Sequence, residues 1–224
     1  DWIESKRAYV DKQSGGKIGY IYVPNTGVDG QSDLFRQFFG QRHKDALIID
    51  ERWNGGGQIP TRFIELLNRP PVNYWARRDG NDWPWPPDAH FGPKCMLVNG
   101  LAGSGGDDFP WLFKFNKLGK VIGTRTWGGL VGISGNPRFV DGGSISVPTF
   151  GFYELDGTWG VEGHGVDPDI TVIDDPAKML NGGDPQLDAG INQLTEELKT
   201  NTYKAPKRPA SPNRSGMGID PRDK

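Results

Sequence analysis

The sequence predicts an α/β protein with a mostly parallel sheet. Three observations carry this. Short, almost wholly apolar β-type runs recur at residues 46–50 (ALIID) and 95–98; stretches with helical apolar spacing lie between such runs; and glycine-rich turns follow them. A strand covered on both faces reads as a near-continuous apolar run, and strands alternating with helices imply βαβ units.

Taken in order, residues 2–12 are polar with scattered apolar positions and read as a short helix, ended by Ser14-Gly15-Gly16. Residues 17–23 (KIGYIYV) are β-branched and aromatic, a strand. Leu34, Phe35, Phe38 and Phe39 form an i, i+1, i+4, i+5 stripe that predicts a helix over 33–41. Strand 46–50 leads through the loop 51–58 to a second stripe, Phe63, Ile64, Leu66 and Leu67. Residues 69–93 are rich in proline and hold Trp75, Trp83 and Trp85. They are too apolar for a flexible linker and read as an ordered surface loop or lid. A buried strand at 95–98 precedes a helix at 107–118, with Pro110 expected in its first turn, where the missing N–H costs little. Residues 121–124 read as a strand. Residues 128–154 hold several short β runs between glycine-rich turns, which adds a small antiparallel β element. Residues 185–199 are the clearest helix, with Leu187, Ile191, Leu194 and Leu198 on one face. The ordered core is therefore expected over 1–200. Residues 201–224 read as an extended, basic, Pro-rich tail suited to wrapping a partner subunit.

The 224 residues suit one domain, and a chain of this size buries roughly 70% of the surface exposed on unfolding. The 33 glycines show no three-residue period, which excludes collagen. A net charge of −2 favours neither nucleic acid nor an acidic membrane surface. The single cysteine, Cys95, excludes an intrachain disulfide and a Cys-clustered zinc site. No apolar run approaches the ~20 residues of a membrane span. The chain starts at Asp1 rather than Met, so a processed product or an excised piece with a missing upstream segment is expected.

Three stretches carry residues suited to chemistry. In Gly103-Ser104-Gly105-Gly106, the serine falls between a strand and a helix N-terminus. Unpaired backbone N–H groups there can bind the oxyanion that a nucleophilic attack creates, although a serine in this place is also an ordinary N-cap. Asn54-Gly55-Gly56-Gly57 follows the buried strand 46–50, at the edge where ligands of parallel sheets gather. The plain alternative is a tight βα turn. In residues 160–169 (GVEGHGVDPD), Glu162 can orient a base or polarise a nucleophile. A metal site on His164, Asp167 and Asp169 fits no zinc or EF-hand spacing. A serine hydrolase usually needs a base of near-neutral pKa, and only His43, His90 and His164 are present. The residues alone do not choose among them.

The runs GKIGYIYVPNTG, LIIDERWNGGG, NGLAGSGGDDF, GKVIGTRTWGGLVGI and WGVEGHGVDPDI occur in the order seen in the tail-specific (S41-type) serine proteases. More closely they resemble the C-terminal catalytic domain of the tricorn proteases, over residues 2–198. The resemblance implies a crotonase/ClpP-like α/β spiral core and hydrolysis of peptides or unfolded polypeptides. It implies Ser104 as nucleophile, Gly57 and Gly105 as oxyanion N–H donors, and Glu162 as the acidic member that assists them. No metal and no cofactor are implied. In such proteases the catalytic histidine comes from an upstream domain, and none of the three histidines here matches it; a base from outside this chain and a homo-oligomer are expected. An acidic residue that selects basic P1 side chains in the family has no match in Asn73-Tyr74-Trp75, where Trp75 takes about its place, so an apolar substrate pocket is expected there. The resemblance leaves the compartment open between cytoplasm and export. Two rival readings share the fold: a non-catalytic peptide-binding module, and an acyl-CoA-binding crotonase-like protein. The paired Ser104 and Glu162 motifs disfavour the first, and the Gly-Ser-Gly and GVDPD runs the second.

Overall fold

In the computed structural model, residues 1–211 are described together with Gly218 and Arg222; the rest of the 201–224 tail lies outside the described residues. The elements are α1 (Trp2–Gln13), β1 (Ile18–Tyr22), α2 (Val28–Gln41), β2 (Ala46–Asp50), α3 (Thr61–Leu67), β3 (Asn73–Trp75), β4 (Trp83–Trp85) and β5 (Lys94–Val98). They continue with α4 (Gly105–Phe115), β6 (Gly119–Gly123), β7 (Gly132–Ile133), β8 (Pro148–Phe150), β9 (Ile170–Thr171), α5 (Pro176–Met179) and α6 (Pro185–Glu197). The main sheet runs β1-β2-β5-β6-β9, and every neighbouring pair is parallel. Two small antiparallel pairs, β3–β4 and β7–β8, lie outside it. The α/β class with a mostly parallel sheet and a small antiparallel part is as the sequence predicts.

The apolar runs of β2 and β5 serve both faces by simple alternation. Leu47, Ile49, Met96 and Val98 join Leu34, Phe38, Phe63, Phe109 and Phe113 from α2, α3 and α4. Ile48, Cys95 and Leu97 point the other way, onto Val10 of α1 and Leu187, Ile191 and Leu194 of α6. Each fully buried side chain of this kind contributes about 1.5–3 kcal/mol of transfer free energy.

Several elements differ from the expectation. Helix α2 starts at Val28, five residues before the expected start at residue 33, with the Asn25 side chain accepting from Gly27 N (2.9 Å) and Gly30 N (3.1 Å) to brace its first turn. Helix α4 starts directly after Ser104, so Pro110 sits in the second turn rather than the first, within the helix. There its ring costs one i→i−4 hydrogen bond, to the Gly106 carbonyl. Residues 69–93 are ordered as expected, and their centre is the β3–β4 hairpin. The described part of the tail packs on this chain itself: the Tyr203 hydroxyl lies 2.9 Å from that of Tyr74, its ring 5.0 Å from Phe91, and Arg208 pairs with Asp82. No helix among the described residues is long and apolar enough to cross a membrane.

His90 has a structural role. It is buried, and its Nε2 lies 2.9 Å from the Lys44 carbonyl. Burial, then the charge of Lys94, pushes its pKa down to about 3. The unfolded chain takes up that proton near pH 6.5 and the folded chain does not, so stability falls as pH drops from about 6.5 towards 3. The His90 contribution to the loss is about 2 kcal/mol by pH 5. Urea unfolding at pH 7 and pH 5 is expected to show it in the wild type and to lose it in His90→Gln; an unaltered pH dependence in the variant would contradict this assignment.

Candidate active site

Because β2, β5 and β6 are parallel, the loops that leave their C-terminal ends meet at one edge of the sheet. Asn54 and Asn99 lace these loops together. The Asn54 carbonyl accepts from Gly103 N (3.0 Å) and its side-chain oxygen from Gly56 N (2.9 Å). Asn99 Oδ1 accepts from Trp53 N and Leu101 N, both at 3.1 Å. The two backbones approach so closely that a Cβ on Gly56, at φ +83°, would stand 2.6 Å from the Ser104 Cβ. This is the physical reason for glycine there.

Ser104 takes φ 57° and ψ −118° at the N-cap position of α4. A non-glycine residue at such angles costs about 1–3 kcal/mol and persists only where its surroundings hold it. Its backbone N–H is held by the Gly129 carbonyl (2.9 Å) and by Asp107 Oδ2 (2.8 Å). The buried Asp107 carboxylate also accepts from Thr126 Oγ1 (2.5 Å), Gly128 N (2.7 Å) and Gly129 N (3.1 Å). Burial pushes its pKa up, against the pull of those donors. Sequence reasoning did not single out Asp107. Its signal is the spacing Ser104-x-x-Asp107, that of a capping box.

Gly57 and Gly105 face each other across the turn. A Cβ on Gly105 would stand 3.2 Å from Gly57 N and would clash with Thr26 Oγ1. Thr26 pairs with Gly57 in a parallel bridge that uses the Gly56 carbonyl (2.9 Å) and Gln58 N (3.3 Å), so the Gly57 N–H points away from Thr26. Among the described residues no acceptor takes the N–H of either Gly57 or Gly105. Both glycines, with Ser104, line a cleft of about 500 Å³ whose other walls include Asp108, Val131 and Phe150.

Glu162 reaches this cleft through the backbone. Its Oε2 accepts from Leu130 N (2.6 Å) and Val131 N (2.7 Å), the start of the wall that runs to Ser134. The sequence-predicted pocket residue Trp75 lies on the β3–β4 hairpin, stacked on Trp83 at 6.2 Å, and is not among the residues that line the cleft. Of the candidate bases, His90 is tied to Lys44, His164 lies 2.9 Å from Asp167, and His43 is exposed just beyond α2; none of them lines the cleft. Residues 162–164 form a turn, and Glu162 and His164 take different partners. Among the described residues no group of three or more His, Cys, Asp or Glu side chains is placed to hold a metal ion.

Behind the turn lies a buried ionic network that sequence reasoning also missed. Arg52, with no solvent exposure, donates to Asp50 through Nε (2.9 Å) and Nη2 (2.7 Å), and to Asp184 through Nη1 (2.8 Å) and Nη2 (3.0 Å). Tyr20 donates to Asp50 (2.7 Å) and Lys6 to Asp184 (2.8 Å). Asp184 caps α6 by accepting from Leu187 N (3.1 Å), so the network ties that helix to the strand end from which the glycine turn departs. Glu51 is fully buried beside it. Burial, then the nearby charges of Asp107 and Asp50, drives its pKa well up.

The family profile described as Peptidase family S41 matches residues 17–172. Tricorn protease of Thermoplasma acidophilum is 41% identical over 209 residues, 93% of this chain and 20% of that protein. Tricorn protease homolog 1 of Streptomyces coelicolor is 37% identical over 205 residues, 92% of this chain and 19% of the homolog. The crystal structure of the tricorn protease superposes with a TM-score of 0.85 at 42% identity, covering 89% of this chain and 20% of the other. The chain thus spans about a fifth of the length of these relatives. With the family profile spanning both glycine loops, Ser104 and Glu162, the chain belongs to peptidase family S41.

Proposed function

We propose that this chain is the catalytic core of a serine endopeptidase that cleaves peptides or unfolded polypeptides. The observation that carries the reading is Ser104, held at φ 57° beside the two unengaged N–H groups of Gly57 and Gly105. Ser104 Oγ attacks the scissile carbonyl and the oxyanion settles between those N–H groups. Oriented donors of this kind stabilise the charge that develops in the transition state. The hydroxyl proton passes to a base and from it to the leaving amine; water then hydrolyses the acyl-serine by the same route. In this reading the base is a histidine from outside these 224 residues, on an upstream domain. Two facts support it: none of the three histidines lines the cleft, and the tricorn relatives are about five times longer. Glu162 keeps the Leu130–Val131 wall in register with the nucleophile. The assembled enzyme is a homo-oligomer, by analogy with the tricorn family.

The test is hydrolysis of a mixed fluorogenic peptide set by this chain alone and by the longer polypeptide that contains it, each with Ser104→Ala as control. Cleavage by the longer form alone, abolished by Ser104→Ala, is expected. Ser104-dependent cleavage by the short chain would place the base within it. Glu162→Ala removes an acceptor shared by two backbone N–H groups. It is expected to lower kcat/KM on the order of 10- to 100-fold through a loosened wall. An unchanged kcat/KM would remove Glu162 from the apparatus.

A further inference from the structure

Beneath the glycine turn lies a buried acid that the proposed chemistry does not use. Glu51 directly follows β2, and its N–H still donates to the Leu97 carbonyl (3.1 Å). By alternation its side chain follows those of Leu47 and Ile49, onto the side of the sheet that α4 covers. It has no solvent exposure, and both carboxyl oxygens are buried without a hydrogen-bond partner among the described residues. The Asn54 side chain stands beside it, and Asn54 Nδ2 is likewise buried and unpartnered. The backbones are joined too, since the Glu51 carbonyl accepts from Asn54 N (3.0 Å). Asn54 ties the two loops of the site together. Its carbonyl holds Gly103 N beside the nucleophile, and its Oδ1 holds Gly56 N beside the oxyanion donor Gly57. A buried donor and a buried acceptor left unpaired next to each other are costly, and one hydrogen bond between them relieves both.

We propose that Glu51 is a positioning residue for the oxyanion-binding turn, acting through Asn54: a hydrogen bond from Asn54 Nδ2 to the Glu51 carboxyl locks the two loops together as the transition state forms. The carboxyl serves this role as the neutral acid. The groups that face it are Asp107 from α4, Asp50 from β2, the Tyr22 hydroxyl from β1 and the Asn54 amide from the turn. Arg52 is turned away from it, to Asp50 and Asp184. Burial and the two carboxylates raise the Glu51 carboxyl well above the usual range, so it keeps its proton at neutral pH. Ionisation at alkaline pH sets its charge against Asp107, whose carboxylate holds Ser104 N (2.8 Å). That repulsion outweighs the draw of the Asn54 amide, and the turn loosens.

The proposal rests on the peptidase reading, and its test tells the two apart. The kcat and KM of the longer polypeptide are measured on a fluorogenic peptide from neutral to alkaline pH, with thermal unfolding of each variant alongside. Glu51→Leu fills the same space without a polar group, so it is expected to unfold at or above the wild-type temperature. Its kcat is nevertheless expected to drop on the order of 10- to 100-fold with KM unchanged, because the oxyanion donors are used in the transition state and not in substrate binding. Glu51→Gln keeps an acceptor for Asn54 Nδ2 and is expected to recover most of that kcat. The wild type is expected to lose kcat as the pH rises into the alkaline range, and Glu51→Gln to lack that fall, since its amide does not ionise. A Glu51→Leu enzyme with wild-type kcat overturns the proposal. So does a loss of kcat that only tracks a loss of stability, or an alkaline fall that the wild type lacks or Glu51→Gln retains. Ser104→Ala is the separate control. Hydrolysis that survives it fails the peptidase reading, whereas an inactive Ser104→Ala beside an unaffected Glu51→Leu fails this inference alone.

Discussion

Ser104→Ala is expected to lower peptide hydrolysis by the longer polypeptide on the order of 10⁴-fold or more, as happens when a catalytic unit loses its nucleophile. The fold should survive. What holds residue 104 in place is its backbone N–H, bonded to Asp107 Oδ2 and to the Gly129 carbonyl, and alanine keeps that N–H. The cost in stability is that of an altered helix cap, about 1 kcal/mol. Kinetics and thermal unfolding on the same sample check both halves. Turnover within tenfold of wild type would refute the nucleophile. A collapse in stability would mean that residue 104 matters to the fold more than to the reaction.

Arg52→Met is expected to have the largest effect on stability, a loss of about 3–5 kcal/mol. The guanidinium is fully buried between Asp50 and Asp184, which are themselves 0% and 2% exposed. Removing it leaves two carboxylates without a counter-charge, apart from the Lys6 bond to Asp184. The damage should reach the site, since the same strand end leads into the glycine turn. Urea denaturation measures the loss directly. Adding Asp50→Asn and Asp184→Asn to Arg52→Met should recover part of it, because the uncompensated charges go too. A loss below 1 kcal/mol for Arg52→Met would show that the network is hydrated and that its charges are screened.

Much of this architecture was legible in the sequence. The run 46–50 named a doubly covered strand because no polar face interrupts it, and Leu187, Ile191 and Leu194 marked the buried side of α6. The two glycine turns were legible because close backbone contact requires residues without a Cβ. Pairings distant in sequence were not. Arg52 and Asp184 stand 132 positions apart, and no local pattern links them. β9 is two residues long, too short for any periodicity to register. Asp107 was hidden by its neighbours: in Gly-Gly-Asp-Asp the two acids look alike, yet one is saturated by four donors and the other has none. The place of Trp75 came from a match along the chain, whereas the cleft is defined by which loops meet in space.

The lacing of loops at one sheet edge also governs timing. Ser104 is positioned by residues up to Gly129, and the cleft wall by Glu162. A nascent chain released only as far as the helix after the serine has exposed Ser104 without the partners that set its angles. Contacts so distant in sequence form late, after the strands have found their neighbours. A chain that ends before Glu162 therefore lacks the acceptor that fixes Leu130 and Val131, and its cleft wall is set only once that turn has folded back.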